Sequence, residues 1–263
     1  MPRRALTSDV SRETRSLPKS KPIKSASARC RPGVLDPEAI GSAVSEIVQA
    51  EVSRLDLELP PAFFARIRMY GVLLAVWGEK MSLTARPSDA DDLAFHVIDS
   101  LMPYVMSDRG KIPALAKAFT PDSEVLDLGS GAGFPGLVLA AASRAHFTLC
   151  ESRRKRASFL AVTAEELGLF DLTVMGDRAT PRTFEAKYHL VTTRAVGDAG
   201  DFHAVARAAL KPGGIAMLYA SSRQAAEMAE SQAAGLQLVT DDSYELSRDG
   251  ESVRRALVLW RKT

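Results

Sequence analysis

The stretch Val125–Gly136 reads VLDLGSGAGFPG and decides the fold of this chain. Its strand residues run directly into a glycine-rich turn, and the apolar segment Leu137–Ala142 follows with the pattern of a helix. A strand, a tight glycine turn and a helix N-terminus together form a binding site for an adenosine-containing cofactor in many α/β proteins. The stretch therefore predicts an α/β fold with a cofactor site, and the identity of that cofactor largely determines the function.

On the C-terminal side of Pro121, short apolar segments alternate with segments of helical periodicity. Helices are predicted at about 135–143, 153–167, 200–210 and 222–233. No helix separates the last two predicted strands, so these two are expected to pair antiparallel at one edge. The order predicts a Rossmann-like, seven-stranded, mainly parallel sheet with helices on both faces. Its strands are predicted at Glu124–Leu128, Phe147–Cys150, Leu172–Met175, His189–Thr193, Ile215–Tyr219, Leu236–Thr240 and Ala256–Trp260.

The segment before Pro121 is helical in pattern. Two helices are predicted between Pro37 and about Lys80, a third begins near Ser88, and a shorter one is predicted near Ile112–Phe119. Three parts follow: a disordered basic tail at 1–35, an N-terminal helical cap at 36–120, and the α/β domain at 121–263.

The charge of this chain is distributed unevenly. Residues 1–35 hold nine Lys or Arg against two acidic residues, a net charge of +7, so the remaining residues carry −5 of the overall +2. A tail of this composition is expected to be disordered, and either to contact RNA or an acidic surface or to be a solvated extension. Cys30 and Cys150 have no motif spacing, and no apolar run reaches about 18 residues. These features predict a cytoplasmic protein without disulfides, a metal site or a membrane span.

Residues within and after the glycine loop distinguish between two cofactors. Glu151 ends the next strand, where an acid accepts hydrogen bonds from ribose hydroxyls of either NAD or S-adenosyl-L-methionine. Asp127 would repel a pyrophosphate but suits an ammonium and a sulfonium group. Phe134 and Pro135 stand where a dinucleotide loop needs small residues. These residues favour S-adenosyl-L-methionine over NAD, and the alternative to both is a glycine turn that binds nothing.

Beyond the loop, the chain resembles the bacterial RsmG (GidB) family, the 16S ribosomal RNA guanine-N7 methyltransferases. The resemblance covers about residues 60–261 and consists of several motifs in the same order. They are Trp77-x-x-Lys80-x-x-Leu83-Thr84, His96-Val-Ile-Asp99-Ser100-Leu101, Phe134-Pro135-Gly136, Glu151-Ser152, Arg153–Arg156, Phe159-Leu160, Leu167-Gly168-Leu169, Thr193-Arg194-Ala195 and Lys211-Pro-Gly-Gly214.

The resemblance implies a class I S-adenosylmethionine-dependent methyltransferase that acts on 16S ribosomal RNA or the small-subunit particle. A monomer that binds neither DNA nor a membrane is expected. With the residues read from the loop, the implied cofactor contacts are Asp127, Gly129, Gly131, Gly133, Phe134, Glu151, Ala179, Thr180 and Arg194. The chain departs from the family pattern at Phe95, where an Arg is usual, near Thr180, where an acid is usual, and at Tyr219-Ala220-Ser221, where a Lys-Gly pair is usual. These departures leave open a diverged methyltransferase for another RNA or a small molecule.

Methyl transfer to guanine N7 needs no general base, because N7 carries a free lone pair, so a site without a catalytic dyad is expected. Arg194 is the predicted catalytic residue, with a surface salt bridge as the alternative. His96 and Asp99 lie three residues apart and are expected to hydrogen-bond and hold the cap. Cys150 and Trp77 are predicted core residues, and the basic run Arg153–Arg156 either meets phosphates or is a solvated face. Other functional classes that remain open are an NAD-dependent oxidoreductase and a non-catalytic binding module.

Overall fold

The computed structural model describes residues 36–110, 112–115, 117–194, 199–230 and 234–263. The predictions for the basic tail at 1–35, for Cys30 and for Ala195 lie outside these residues.

Three helices precede the sheet: α1 (Pro37–Arg54), α2 (Phe63–Gly78) and α3 (Ala90–Asp108). The Asp89 carboxylate begins α3 by accepting a hydrogen bond from the Asp92 N–H at 3.1 Å, which satisfies one of the free amides at the helix start. The helix predicted at Ile112–Phe119 is wrong, because Pro113–Leu115 form only a short 3-10 turn. Its described backbone bonds connect residues three apart, such as Leu115 N–H to the Ile112 carbonyl at 3.1 Å.

Seven strands form one sheet in the order β3-β2-β1-β4-β5-β7-β6, in which β7 runs antiparallel to both of its neighbours, β5 and β6, and the other pairs are parallel. This is the predicted doubly wound, mainly parallel architecture with an antiparallel edge. The strands are β1 (Glu124–Leu128), β2 (His146–Cys150), β3 (Leu172–Met175), β4 (Tyr188–Thr193), β5 (Leu210–Ser221), β6 (Leu236–Arg248) and β7 (Glu251–Lys262). The helices between them are α4 (Gly136–Ala142), α5 (Arg154–Glu166), α6 (Ala199–Ala209) and α7 (Ser222–Ala229).

Successive residues of each central strand point to opposite faces of the sheet and so supply two cores. On β1, Val125 packs with the helices of the cap and with α4 and α5, whereas Leu126 packs with α6 and α7. The cap therefore shares a continuous core with one face of the sheet, and the boundary at residue 120 stays a prediction.

The last hairpin is much longer than predicted. The turn Asp249-Gly250 has φ angles of 54° and 78°, and β6 and β7 pair from Leu236–Lys262 to Arg248–Glu251 with one register shift between Leu238 and Thr240. The second half of β6 carries polar and exposed residues at the sheet edge. The hydrophobicity pattern of the sequence therefore did not indicate a strand there. The hairpin consequently reaches α3 in the cap, where its side chains contribute to the site described below.

No helix of the described residues is long and apolar enough to cross a membrane.

Candidate cofactor and substrate site

The carboxyl ends of β1, β2 and β4 lie side by side, because Leu128 pairs with Cys150 on one side and with Thr193 on the other. The glycine loop, Glu151 and Arg194 follow directly after these three ends. Ligands bind at this edge of open α/β sheets. The tertiary structure therefore brings together three features that the sequence separates by up to 65 residues.

The glycine loop adopts backbone conformations that favour glycine, with φ angles of 70°, 57° and 103° at Gly129, Gly131 and Gly133. Open space lies beside Gly129, where an added Cβ would meet no atom within 4 Å. Tyr70 of α2 donates a hydrogen bond to the Ala132 carbonyl at 2.7 Å and so ties the cap to the loop. The loop thus presents an open backbone surface on one side and is anchored on the other.

We expect Gly133→Ala to lower the free energy of unfolding by about 3 kcal/mol. A Cβ at this position would lie 2.9 Å from both the Tyr70 hydroxyl and Leu137 Cγ, and a φ of 103° is strained for any L-residue. Chemical denaturation of the variant and the wild type measures the difference. Gly129→Ala is the control, since its Cβ meets open space; equal losses for the two variants would contradict the packing argument.

Glu151 is buried at the end of β2 and holds the loop through its carboxylate. Its Oε2 accepts a hydrogen bond from the Gly131 N–H at 3.0 Å, and its Oε1 accepts from the Arg153 N–H at 2.8 Å. Each carboxylate oxygen has a further lone pair with which to accept from a hydroxyl group. Glu151 therefore both fixes the loop and presents an acceptor next to it.

Asp127 is fully buried directly below the loop. Its Oδ2 accepts from the Gly136 N–H at 3.2 Å, whereas its Oδ1 has no hydrogen-bond partner among the described residues. The pKa of Asp127 is raised to about 7, mainly by burial, against the opposing effects of the Ser130 side chain, the Gly136 N–H and the charge of Arg194. A buried acceptor without a partner is costly, and a cationic ligand group would relieve that cost. The open glycine cradle, Glu151 and Asp127 thus fit S-adenosyl-L-methionine.

We expect Asp127→Asn to raise the free energy of unfolding at pH 8 relative to the wild type and to weaken binding of S-adenosyl-L-methionine. Because the folded pKa of Asp127 lies above its ordinary value, ionisation as the pH rises through about 7 destabilises the wild type. That pH-dependent part is on the order of 4 kcal/mol and is lost in the neutral variant. This part develops between the ordinary pKa of 3.8 and the folded pKa of about 7, so denaturation between pH 4 and pH 8 measures it. A stability difference that does not narrow toward pH 4 would argue against a raised pKa.

Arg194 lies at the end of β4 and pairs with the fully buried Asp99 of α3. Its guanidinium carbon is 5.6 Å from the centre of the Phe134 ring, and its Nη1 has no hydrogen-bond partner among the described residues. The salt bridge expected as the alternative role of Arg194 is present, but it is largely buried, because only 16% of the Arg194 side chain and none of the Asp99 side chain are exposed. Arg194 is thus held beside the loop with one donor group free.

Asp99 does not hydrogen-bond to His96 as predicted. It binds three side chains instead: Arg194, Arg255 of β7, whose Nη2 is 3.2 Å from Oδ2, and Tyr244 of β6, whose hydroxyl donates to Oδ1 at 2.6 Å. Burial alone would raise the pKa of Asp99. The two guanidinium groups and the tyrosine hydroxyl have the larger, opposite effect, so the pKa of Asp99 is lowered. Asp99 does hold the cap against the α/β domain, through partners other than the one predicted.

Sequence reasoning missed the contribution of the β6–β7 hairpin. Arg248, Arg255 and Tyr244 reach the buried carboxylates of Asp92 and Asp99 on α3. The available signal was the position of both aspartates among apolar residues of a helix, since a buried carboxylate requires a partner. The sequence did not indicate which strand supplies that partner.

The remaining predicted residues lie around the same edge. Phe134 is buried, and its peptide bond to Pro135 is cis. Ala179 is half-buried after β3, and the exposed Thr180 bonds through its N–H to the Thr183 hydroxyl at 3.0 Å. Tyr219, at one of the departures from the family pattern, is buried and donates to the Ser100 carbonyl at 2.9 Å.

The two predicted core residues lie at least partly inside the protein, whereas most of the basic run is exposed. Cys150 is a buried thiol whose Sγ donates to the Asp177 carbonyl at 3.3 Å, and burial raises its pKa to about 11. Trp77 is half-buried and packs edge-on against Phe159, with ring centres 5.8 Å apart. The residues Arg153, Arg154 and Lys155 are exposed.

Arg156 ends the basic run and connects α5 to the loop before α3. Its Nη2 donates to the Ser82 carbonyl at 2.6 Å.

Among the described residues, no three His, Cys, Asp or Glu side chains cluster so that they could hold a metal ion.

The chain is similar in sequence to the members of one known protein family. The sequence model of the GidB family, described as rRNA small subunit methyltransferase G, matches residues 64–249. The ribosomal RNA small subunit methyltransferase G of Anaeromyxobacter sp. is 31% identical over 217 residues, which cover 80% of this chain and 94% of the relative. The protein of that name from Wolinella succinogenes is 32% identical over 168 residues, or 64% of this chain and 80% of the relative. The crystal structure of TrmN from Thermus thermophilus aligns with a TM-score of 0.46 at 21% identity, covering 65% of this chain and 53% of that one.

Proposed function

The chain belongs to the family described as rRNA small subunit methyltransferase G, and we propose that it transfers a methyl group from S-adenosyl-L-methionine to N7 of a guanine in 16S ribosomal RNA. The observation that carries this proposal is the buried Asp127 carboxylate with an unpartnered oxygen, placed below an open glycine cradle at the carboxyl edge of the sheet. A carboxylate there suits a cationic donor and opposes the pyrophosphate of NAD.

Each site residue has a proposed task in holding the donor. Gly129, Gly131, Gly133 and Phe134 form the cradle, Glu151 accepts from the ribose hydroxyls, and Ala179 and Thr180 border the adenine. Asp127 faces the cationic end of the donor, and Arg194 offers its free Nη1 to the carboxylate of the donor or to the substrate. The donor supplies an electrophilic methyl group, and every other requirement falls on the protein.

Because guanine N7 has a free lone pair, the protein has no proton to remove before the transfer. Its task is to align the reactants and to exclude water, which contributes roughly 7–11 kcal/mol in well-oriented reactions. The pairing of Arg194 with the buried Asp99 supports this role, since a guanidinium held by a buried carboxylate has little freedom to move. Arg194 is therefore the proposed catalytic residue, acting by position and charge.

The substrate is proposed to be 16S ribosomal RNA, either free or in the small-subunit particle, with a monomeric enzyme acting in the cytoplasm. The exposed Arg153, Arg154 and Lys155 at the start of α5 lie at the same edge as the glycine loop and could meet RNA phosphates. The division into a basic tail at 1–35, a helical cap at 36–120 and a methyltransferase domain at 121–263 remains part of the proposal.

Mass mapping of 16S ribosomal RNA tests the proposed function. RNA from cells with and without the protein is expected to differ by one N7-methylguanine, and the purified protein is expected to restore it in the presence of S-adenosyl-L-methionine. Calorimetry with the donor and with NAD tests the cofactor separately. Tight NAD binding without donor binding, or identical RNA from both cell types, would refute the proposal.

A further inference from the structure

A second polar cluster lies around the first two turns of α3, and the proposed function gives it no task. It consists of Asp92, His96, Arg86 and Arg248. Asp92 is fully buried, and its Oδ1 accepts from Arg86 Nη2 at 2.9 Å and from Arg248 Nη2. Its Oδ2 has no hydrogen-bond partner among the described residues and lies 3.6 Å from His96 Nε2. The free face of this carboxylate is therefore turned toward the histidine.

The His96 ring borders the glycine loop. Its centre is 5.2 Å from the centre of the Phe134 ring, and Arg194 approaches the same Phe134 ring at 5.6 Å. His96 and Arg194 thus flank one aromatic ring at the edge where the proposed donor and substrate meet. The position of His96 gives it access to the reaction site that a residue of the cap interior would not have.

The protonation state of His96 follows from its surroundings. The pKa of His96 is lowered to about 4, mainly by burial and also by the charges of Arg194 and Arg248, whereas Asp92 and Asp99 act in the opposite direction. The imidazole is therefore neutral at neutral pH and carries a single N–H. The carboxylate oxygen near Nε2 favours the proton on that nitrogen, which leaves Nδ1 as a hydrogen-bond acceptor.

That acceptor has no partner. His96 Nδ1 is buried and makes no hydrogen bond with the described residues. A buried polar atom left in this state costs free energy unless a ligand supplies the missing donor. A hydrogen-bond donor that reaches the site during binding, such as an N–H of the substrate base, would satisfy it.

We propose, resting on the proposed function, that His96 reads the target base by accepting a hydrogen bond from N1–H or the amino group on the Watson–Crick edge of guanine. Adenine presents a lone pair at N1, so its N1 would face the acceptor without a proton between them. Asp92 is a positioning residue, because it orients the imidazole, and Arg86 and Arg248 in turn hold Asp92. His96 consequently selects guanine while taking no part in the methyl transfer.

Three substitutions at His96 separate base reading from a structural role. His96→Asn keeps an acceptor close to the position of Nδ1, His96→Gln places its amide on the side of Nε2 and Asp92, and His96→Leu has neither. We expect kcat/KM for small-subunit RNA to fall roughly 10- to 100-fold in the Gln and Leu variants, the usual effect of losing a contact to a base edge. The Asn variant is expected to retain activity within about threefold, because its acceptor remains.

The order of the activities of the Asn, Gln and Leu variants distinguishes base reading from packing against Asp92. A role confined to packing against Asp92 would make the Gln variant more active than the Asn variant, and that order would overturn the proposal. The dissociation constant of S-adenosyl-L-methionine, measured by calorimetry on the same proteins, is expected to be unchanged. A weakened donor affinity in the Gln and Leu variants, restored in the Asn variant, would mean that Nδ1 serves the donor and would also overturn it.

The melting temperature of each variant shows that activity is compared between folded proteins. A wild-type protein that does not methylate the RNA would refute the proposed function. Equal activity of the wild type and the Leu variant would refute only the role of His96.

Discussion

Gly131→Asp is expected to abolish binding of S-adenosyl-L-methionine, with an affinity loss of more than roughly 100-fold, or about 3 kcal/mol. The Gly131 N–H donates to Glu151 Oε2 at 3.0 Å, so an aspartate at this position would place a second negative charge close to the carboxylate proposed to bind ribose. Its side chain would also enter the space through which the cofactor approaches the loop. Calorimetry with the donor measures the loss.

Gly131→Ala is the matched control for the Gly131→Asp prediction. The Cβ of an alanine would lie 3.6 Å from the Gly129 carbonyl oxygen and 3.8 Å from Arg156 Nη1, so it fits without a clash. The alanine shares the φ of 57°, which costs about 1 kcal/mol for an L-residue, but adds no charge. We expect it to lose no more than about tenfold in affinity. Unchanged affinity in the aspartate variant, for instance through pairing with Arg156, would refute the placement of the cofactor at this loop.

Arg194→Ala is expected to reduce the rate of methyl transfer by roughly 100- to 1000-fold, as is found when one positioned donor is removed from an active site. The substitution removes the guanidinium group that lies beside Phe134 with a free Nη1. It also removes one partner of the buried Asp99, which retains Arg255 and the Tyr244 hydroxyl. We therefore expect a stability loss of about 1–3 kcal/mol and a protein that still folds. Single-turnover rates at a temperature well below the melting point separate the two effects.

Tyr244→Phe is the control for the Arg194→Ala prediction, because it removes a different partner of Asp99 and leaves Arg194 in place. Its hydroxyl donates to Asp99 Oδ1 at 2.6 Å, so its loss tests the effect of weakening the same buried cluster. The phenylalanine variant is expected to lose stability but to keep most of its methyl transfer. If both variants lose activity in proportion to their lost stability, Arg194 has only a structural role.

The parallel part of the sheet was predictable from the sequence because its signals are local. Glu124–Leu128 and Leu172–Met175 were predicted with the bounds that the structure shows. Each is a short, mainly apolar run that ends at a glycine, Gly129 after the first and Gly176 after the second, and this local pattern is typical of a strand in a parallel sheet. The antiparallel hairpin was predicted too short, because β6 lies at an edge where polar residues face solvent and the hydrophobic pattern fades.

The candidate site also has one part that the sequence predicted and one part that it did not. The glycine loop and Glu151 lie at strand ends, where position along the chain already implies position in space. The partner of Arg194 did not follow, since Asp99 precedes it by 95 residues, and Arg255, which binds the same carboxylate, comes from the last strand of the sequence. His96 was expected to bond to Asp99, but Asp99 binds Arg194, Arg255 and Tyr244 from distant parts of the chain. The carboxylate oxygen near His96 Nε2 belongs instead to Asp92, four residues earlier on the same helix, at 3.6 Å.

The sequence by itself determined the doubly wound sheet, the cofactor edge and, through its motifs, the family to which the chain belongs. Those properties depend on residues close together in the chain, whose periodicity and turn chemistry act locally. Only the tertiary structure decided which charges meet: that hairpin arginines neutralise the α3 carboxylates, that Arg194 keeps one free donor, and that His96 keeps one free acceptor. The physical reason is that the pairing of buried charges is set by the distances between elements after they pack, and a linear sequence does not contain those distances.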